Sequence, residues 1–432
     1  MLSKDIILRF LFFSVILMVE IFGNLQTNLI ISFCVGIFLF SNYKQKVPKH
    51  IFILISSLII VFLIGFLGFI FRLENLYTFV KDIIFFIKPI AFIILGYYLV
   101  TVIKDKKFIF NLIITLAIIL SIYHICVVFY FVGTTGILNI NSIRNYSGKS
   151  NIIEMLAILI LINKNSHLFL KGIFLKFKYL FLLLLFGSFI LYFSRNMLVS
   201  VFIMGLAMNG YFRLSLKRMK TFFSIILILG LSYSTLFLFD IKRDAEGIEG
   251  FFYKLKIAPT ELVTDDKIDK NTSHDILWDK WRGYESKLAL NQTTNGFFSF
   301  LIGNSFGSLV DLKFEAPLGD EDMRYIPIIH SGYLFVFFKT GILGLFSYVL
   351  FIFYLLNFAN HRIMSNSAFL VTNMIAAFGA YYFISSITIT GIYNIEDSFT
   401  LFLGGFLGIY SYYAKSSGTD SKLKINPILN KQ

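Results

Sequence analysis

Three basic residues in this strongly apolar chain have side chains that could take part in a chemical reaction. They are Arg195 in the stretch YFSRNMLVS, Arg282 in DILWDKWRGYESKLAL and His330 in IPIIHSGYLFVFFKTGILGL. Arginine carries a permanent charge in a planar fork that can pair with two oxygens of one anionic group. Histidine titrates near neutral pH, so it can accept or donate a proton. These residue types are suited to stabilising a negative charge and to moving a proton.

Each of these residues also has an ordinary structural interpretation. An arginine at the end of a membrane helix usually extends its charge to the interface, and a histidine at a helix start is usually a satisfied interfacial residue. Arg282 and Glu285 are three residues apart, so they could simply pair on an exposed face of one helix. Residue type alone does not separate these alternatives, and the elements that carry the residues must be considered.

The composition is that of a membrane protein. Of the 432 residues, 57% are hydrophobic and 15% are charged, whereas about a quarter of the residues of a soluble protein are charged. The apolar residues form long blocks such as Phe52 to Phe71. About 20 apolar residues in a helix span a hydrocarbon core about 30 Å thick. The sequence therefore predicts an all-α polytopic membrane protein.

The apolar blocks predict about twelve transmembrane helices. Their approximate extents are 6–23, 26–41, 50–71, 83–103, 108–131, 152–163, 178–193, 196–212, 221–239, 330–357, 367–390 and 397–413. The blocks 26–41 and 152–163 are short for a full span. The blocks 178–193 and 196–212 are close enough to be mistaken for one long helix.

Basic residues are concentrated on one side of this topology. With the N-terminus in the cytoplasm, the inside loops and the tail contain Lys44, Lys46, Lys49, Lys104, Lys106, Lys107, Lys164, Lys171, Lys176, Lys178, Arg213, Lys217, Arg218, Lys220, Arg362, Lys415, Lys422, Lys424 and Lys431. The short outside loops contain only Arg72, Lys81, Arg144, Lys149 and Arg195. This positive-inside pattern predicts that both termini are cytoplasmic. The same pattern explains the net charge of +14, because basic residues on the cytoplasmic side face anionic lipids. The charge therefore does not indicate binding to nucleic acid.

One polar connection is much longer than the others. It divides the chain into an N-terminal bundle of about nine helices (1–239), an outer, periplasmic loop (240–327), C-terminal helices (328–413) and a cytoplasmic tail (414–432). Within the loop we predict an amphipathic helix on the outer membrane surface, from the helical spacing of Leu277, Trp281, Tyr284 and Leu288. The loop also contains Asp320-Glu321-Asp322, but such short acidic matches arise by chance in polar loops, and we predict no metal site there.

These features follow one another in a defined order. A serine–arginine pair at an outer helical turn precedes a long outer loop with a Trp–Arg helix, and then come Gly303, Gly307, His330, Leu334, Gly341 and Gly344. This order resembles the O-antigen polymerase and O-antigen ligase superfamily of bacterial envelope glycosyltransferases. The resemblance is detailed over residues 190–350, and before residue 180 it rests on helix count and hydropathy. The spacings in WDKWRGYE and GNSFG depart from the commonest patterns of the family.

The resemblance implies a GT-C-like glycosyltransferase in the bacterial inner membrane that transfers a glycan with inversion and without a metal or other cofactor. The donor would be an undecaprenyl-pyrophosphate-linked oligosaccharide. Arg195 and Arg282 would hold the pyrophosphate, and His330 would either act as general base or donate a hydrogen bond to phosphate. The predicted substrate-binding residues are Arg144, Lys149, Glu285 and Lys339.

Lys339 is unusual because it lies inside an apolar span. It follows His330 by nine residues, which places it about 13 Å deeper at a rise of about 1.5 Å per residue. A lipid-facing lysine at that depth is costly, so we expect it to face the protein interior or a polar cavity. The nearby Gly341 and Gly344 are expected to allow close packing of neighbouring helices.

Three functions remain open on this basis. The first and favoured one is polymerisation of O-antigen or capsule repeat units, with a chain-length regulator protein as a further partner, because HSGYLFVFFKTGILGL and GNSFGSLVDL resemble polymerase versions of the pattern. The second is ligation of the finished chain to lipid A-core. The third is a non-enzymatic flippase for the same lipid-linked sugar, which would not need a long outer loop with a Trp–Arg helix.

Overall fold

The structure is a computed structural model, and it describes residues 4–22, 29–30, 33–37, 41, 48–71, 75–135, 151–242, 247–262, 268, 272, 274–318, 321–361, 365–394 and 398–416. The first half contains α1 (Lys4–Phe22), α2 (Lys49–Phe71), α3 (Leu76–Val102), α4 (Phe108–Thr135), α5 (Asn151–Ile162), α6 (Gly172–Lys176), α7 (Lys178–Leu191), α8 (Arg195–Met208) and α9 (Leu216–Ser234). The second half contains α10 (Gly247–Ile257), α11 (His274–Thr294), α12 (Phe297–Ile302), β1 (Val310–Leu318), β2 (Glu321–Ile326), α13 (Gly332–Asn357), α14 (Asn366–Thr388) and α15 (Phe399–Ser416).

Six of the described helices are long and apolar enough to cross a membrane. They cover Lys49–Ile70, Leu76–Val102, Phe108–Thr134, Leu216–Leu238, Gly332–Asn360 and Asn366–Thr388, and α5, α7 and α8 are shorter apolar helices. These helices support the prediction of a helical membrane protein. Every predicted span except 26–41 coincides with a described helix, and 26–41 falls partly outside the described residues. The total of about twelve spans stays a prediction.

The centre of the bundle is a close pair of helices, α3 and α15. A side chain at Gly96 of α3 would collide with the backbone of Leu401, and one at Gly404 of α15 would collide with the backbone of Ile93. Small residues permit this approach, and van der Waals packing then holds the helices together in the absence of water. By contrast, the apolar window of α9 is not buried by the described residues at all, so α9 lies at the periphery.

Polar contacts between helix ends define one end of the bundle. The start of α2 meets the end of α15 through His50 Nε2 and Ser411 Oγ, which are 3.2 Å apart. Asn373 in the first half of α14 donates to the carbonyl of Met208, the last residue of α8, at 3.2 Å. The connections at this end carry many of the basic residues that the charge pattern assigns to the cytoplasm, namely Lys104, Lys106, Lys107, Arg213, Lys217, Arg218 and Lys220. The structure therefore gathers these charges on one side.

The connection from 240 to 327 is not purely helical. Strands β1 and β2 form an antiparallel hairpin in which Val310 pairs with Ile326, and the register shifts between Asp311 and Ala316. This hairpin is a small β element that the sequence analysis did not predict within an otherwise helical fold. The periplasmic location of the connection stays a prediction.

The apolar face of α11 packs into the protein. Leu277, Trp281 and Tyr284 are buried, and the Tyr284 hydroxyl donates to the carbonyl of Leu312 in β1 at 2.5 Å. The prediction that this face rests on the outer membrane surface is therefore wrong, because the rest of the protein already covers it. Burial of large aromatic side chains instead makes α11 a fixed support for its polar residues.

The segment that follows α12 inserts among the membrane helices α2, α3 and α13. Gly303 and Gly341 have φ values of +80° and +63°, a region that favours glycine. A side chain at either position would collide with the backbone of the other segment. The amide of Phe306 donates to the carbonyl of Gly65 on α2 at 3.1 Å. The expected close approach at Gly341 is thus made to this inserted segment, which anchors the long connection in the bundle.

Candidate functional site

Arg195 is positioned by a tight turn between α7 and α8. Phe193 in this turn has a φ of +48°, which is uncommon for a residue other than glycine. The preceding Tyr192 is buried, and its hydroxyl donates to Glu154 of α5 at 3.0 Å. The neighbouring helices therefore fix the turn, and Arg195 begins α8 with its side chain directed at the long connection.

The Arg195 guanidinium makes a two-point ion pair with Glu261. Its Nη1 and Nη2 atoms lie 3.0 and 3.1 Å from Oε1 and Oε2 of that carboxylate, and Nη1 also donates to the carbonyl of Lys254. Glu261 belongs to a short 3-10 turn, Thr260–Leu262, after α10. The parallel fork geometry is the one that a guanidinium uses with phosphate oxygens. Arg195 is thus held by protein partners rather than extended towards lipid headgroups.

Arg282 reaches the same carboxylate from α11. Its Nη1 atom lies 3.3 Å from Oε2 of Glu261. Partial burial lowers the pKa of Arg282, the Glu261 charge raises it, and the charge of Arg195 lowers it again. The two arginines therefore repel each other, and Glu261 between them offsets that repulsion. The alternative that Arg282 simply pairs with Glu285 on an exposed helix face does not fit, because Glu285 is buried.

Glu285 lies under His330 and orients it. The carboxylate is fully buried and accepts the backbone N–H of His330 at 2.5 Å and its Nδ1 at 3.0 Å. An ionised carboxylate can only accept, so a neutral His330 ring facing it carries its hydrogen on Nδ1 and has Nε2 as its proton acceptor. The His330 side chain is 54% exposed, and no described residue forms a hydrogen bond with Nε2. The ring therefore presents a free basic nitrogen at the surface of the cluster.

The end of α14 ties the two sides of this cluster together. The hydroxyl of Thr388 donates to the side chain of Asn196, the second residue of α8, at 3.1 Å. The next carbonyl, that of Ile389, accepts the N–H of Gly332 at 2.9 Å, two residues after His330. The starts of α8 and α13 are thus fixed to one point, and the arginine and histidine sites lie at the same end of the bundle.

The structure therefore brings four predicted residues into one cluster, namely Arg195, Arg282, Glu285 and His330. Their functional groups complement each other chemically: two guanidinium groups face one anion position, and an oriented imidazole offers a proton acceptor. Glu285 was predicted to bind substrate. It is fully buried and contacts His330 from the protein side.

Lys339 lies apart from this cluster. It is fully buried, its Nζ atom is 2.5 Å from Oδ2 of Asp82 on α3, and it also donates to the carbonyl of Ser308. The same Asp82 oxygen accepts the N–H of Gly307 at 2.8 Å. Lys339 thus faces the protein interior, as the cost of a lipid-facing charge led us to expect. Its contacts hold the inserted segment in the bundle and leave it no access to a bound substrate.

Two residues central to these contacts were not predicted. Glu261 is one of many carboxylates in an acidic connection, so nothing in its sequence context distinguishes it. Asp82 could have been predicted, because an acidic residue near the start of an apolar span is expected to have a buried, positively charged partner. Arg144 and Lys149, the other predicted substrate-binding residues, lie outside the described residues.

Within the described part of the chain, no group of three or more His, Cys, Asp or Glu side chains is arranged to hold a metal ion. Glu321 and Asp322 of the acidic triplet lie on strand β2. Comparison with known proteins adds no assignment: no family model matches the chain, and no curated protein matches it. The function must therefore be inferred from the motifs and from the geometry of the cluster.

Proposed function

We propose that the protein is an inverting glycosyltransferase that joins undecaprenyl-pyrophosphate-linked oligosaccharide repeat units into O-antigen or capsular polysaccharide. A hydroxyl of the acceptor glycan attacks the anomeric carbon of the donor glycan. The new glycosidic C–O bond forms as the bond from that carbon to the phosphate oxygen breaks. The lipid diphosphate leaves with the electron pair, and the hydroxyl proton passes to a base.

The observation that carries this proposal is that α11 joins an oriented histidine and two arginines at one end of an apolar helix bundle, since its Glu285 contacts His330 and its Arg282 shares Glu261 with Arg195. His330 is the base, because its Nε2 is exposed and Nδ1 is committed to Glu285. A base so oriented keeps the correct nitrogen available for the acceptor hydroxyl. General-base assistance of this kind typically accelerates a reaction by about 10²–10⁴-fold.

Arg195 and Arg282 supply the positive charge for the leaving group. Both guanidinium groups already converge on one carboxylate, Glu261, so their geometry suits an anion with several oxygens. Preorganised donors cost little reorganisation during the reaction, and each well-placed one lowers a barrier by roughly 3–4 kcal/mol. Diphosphate is a good leaving group, and two fixed arginines suffice to stabilise its departure without a metal.

The position of the cluster fits an amphipathic donor. Arg195 begins the apolar helix α8, and His330 lies two residues before the start of the membrane-length helix α13. A polyisoprenyl donor keeps its hydrocarbon chain in the bilayer and its diphosphate at the membrane surface. A donor that approaches the bundle within the bilayer therefore presents its diphosphate at the level of these helix starts.

The proposal predicts that Arg195→Ala and His330→Ala each abolish chain extension. The measurement is the surface glycan of a deletion strain, separated on a gel after complementation with wild-type or variant protein. The wild-type gene should restore a ladder of long chains, whereas either variant should leave a single repeat unit on the core, because transfer then lacks charge stabilisation or a base.

Two matched controls separate this effect from a general loss of protein. Arg324→Ala removes an exposed arginine of the hairpin, and His167→Ala removes an exposed histidine from the short 3-10 turn Lys164–Leu168. Both should give wild-type ladders at equal protein levels.

The possible gel results distinguish the three functions. Wild-type chain lengths in the Arg195 and His330 variants would refute the assignment of these residues to the site. Loss of all glycan from the core would indicate a ligase, and trapping of the lipid-linked unit inside the cell would indicate a flippase.

A further inference from the structure

The charges of the cluster cancel in the structure. Arg195 and Arg282 contribute two positive charges, and Glu261 and Glu285 contribute two negative charges. His330 adds no charge when only Nδ1 carries a hydrogen. A diphosphate therefore gains little net attraction from these five side chains while both carboxylates stay in place. Binding such an anion strongly requires that one carboxylate withdraw.

The two carboxylates differ in their freedom to withdraw. Glu285 is fully buried and accepts two hydrogen bonds from His330, so its withdrawal would require rearrangement of the side chains packed around it. Glu261 lies on the three-residue turn Thr260–Leu262, and its side chain retains 11% exposure. Its carboxylate contacts the two arginines. Glu261 can therefore pass into water once another anion satisfies those arginines.

We propose that Glu261 is a built-in competitor that occupies the anion position between Arg195 and Arg282, and that the donor diphosphate displaces it. This inference rests on the proposed function and adds a determinant of specificity to it. A carboxylate on a short tether acts at an effective concentration of roughly millimolar or above. Anions with a single charge compete poorly with it, whereas a diphosphate carries enough charge and enough oxygens to engage both arginines at once.

The same competition acts on the product. After transfer, the lipid diphosphate remains between the two arginines and must leave before a new donor binds. Glu261 can return to the arginines as the diphosphate departs, so the arginines exchange one partner for another and are not left facing each other unpaired. The competitor thus limits affinity for the donor and promotes release of the spent carrier.

Binding of inorganic pyrophosphate to the purified full chain tests this inference by calorimetry in lipid nanodiscs. Glu261→Gln removes the competing charge and keeps the size of the side chain. If the carboxylate occupies the arginines about nine-tenths of the time, its removal tightens pyrophosphate binding about tenfold. Binding of monovalent acetate should become detectable as well. Glu315→Gln makes the same chemical change at an exposed position of β1 and should leave both affinities unchanged.

A second measurement needs no variant. Hydrogen exchange in wild-type protein should increase over residues 254–262 when pyrophosphate is added, because Arg195 releases Glu261 and the carbonyl of Lys254. Weaker or unchanged pyrophosphate binding by folded Glu261→Gln would overturn the inference, and so would pyrophosphate binding to wild-type protein without any change in exchange over 254–262. Failure of both proteins to bind pyrophosphate would also overturn it.

These outcomes are separable from failure of the proposed function. Pyrophosphate binding and hydrogen exchange report on the two arginines and Glu261 whether or not the protein extends a glycan. The gels could show no role in chain extension while Glu261→Gln still binds pyrophosphate more tightly. In that case Glu261 is a competitor for the anion position, and the proposed reaction is wrong. Conversely, Arg195→Ala could stop chain extension while Glu261→Gln binds pyrophosphate no more tightly than wild-type protein. In that case the proposed reaction is supported, and the proposal that Glu261 is a competitor is wrong.

Discussion

At the residue scale, the orientation of the His330 ring depends on a buried carboxylate. Glu285 is fully buried and holds both the backbone N–H and Nδ1 of His330. This arrangement fixes the ring in one orientation and one tautomer before any acceptor arrives. Such preorganisation is effective because a misdirected base must first be rotated and reprotonated during the reaction.

Replacement of Glu285 by leucine should therefore slow transfer while donor affinity changes little. We expect roughly a 10²-fold fall in kcat, since most of the benefit of a positioned base is lost. Glu285→Gln should retain more activity, because its amide oxygen can still accept from Nδ1. The measurement is turnover of purified protein with a lipid-linked donor. A proportional rise in KM with unchanged kcat would show that Glu285 contributes to binding rather than to orientation.

The sequence allowed some of these residues to be predicted and not others. Arg195, Arg282 and His330 could be singled out because the motifs around them follow one another in a defined order along the chain. Glu261 could not, since its importance arises only when residues far apart in the chain meet. The same holds for the role of Glu285, because burial of a polar helix residue depends on which element covers it.

At the element scale, the long connection is held in place by an ion pair within the bundle. Asp82 and Lys339 are buried, lie 2.5 Å apart, and bind the backbone of Gly307 and Ser308. The pair therefore joins α3, α13 and the inserted segment. Because α13 begins two residues after His330, this junction also sets the level at which His330 lies.

Loss of one partner of this ion pair should be far more harmful than loss of both. Lys339→Met leaves Asp82 uncompensated and should lower stability by about 3–5 kcal/mol. The double variant Asp82→Asn with Lys339→Met should recover much of that loss, because no buried charge is left unpaired. Thermal unfolding in nanodiscs measures both, with Lys287→Met as a control at an exposed lysine. A double variant no more stable than Lys339→Met would contradict this explanation.

The elements differed in how well the sequence predicted them. The membrane helices follow from hydropathy, because the cost of exposed backbone polar groups in lipid leaves few alternatives to a helix. The hairpin was missed although β1 alternates apolar and polar residues over Val310–Leu318, which is the pattern of a strand. The burial of the apolar face of α11 was missed because that face could cover lipid or protein, and amphipathic spacing predicts both equally.

At the scale of the whole molecule, the basic connections and the candidate site lie at opposite ends of the bundle. Contacts such as those of His50 with Ser411 define the first end, and the contact of Thr388 with Asn196 lies at the second. The positive-inside pattern assigns the first end to the cytoplasm. On that basis we predict that the cluster faces outward, on the side where the proposed reaction takes place.

Cysteine labelling of intact spheroplasts should show this orientation directly. In a background with Cys34→Ser and Cys126→Ser, a membrane-impermeant maleimide should label Glu315→Cys on the hairpin without permeabilisation. Lys217→Cys at the start of α9 should be labelled only after the membrane is opened. Both residues are exposed in the protein, so burial does not bias the comparison. Labelling in the reverse order would place the cluster in the cytoplasm and exclude the proposed reaction.

The buried pair of Asp82 and Lys339 also constrains how the protein is made. The ribosome delivers α3 to the membrane long before α13, so the acidic side chain must wait through more than half of translation for its cationic partner. A nascent chain cut short ahead of residue 339 has the N–H of Gly307 to offer Asp82 but lacks the cation that pairs with it. Synthesis of α13 is thus the step at which the buried charge of Asp82 first acquires its opposite charge.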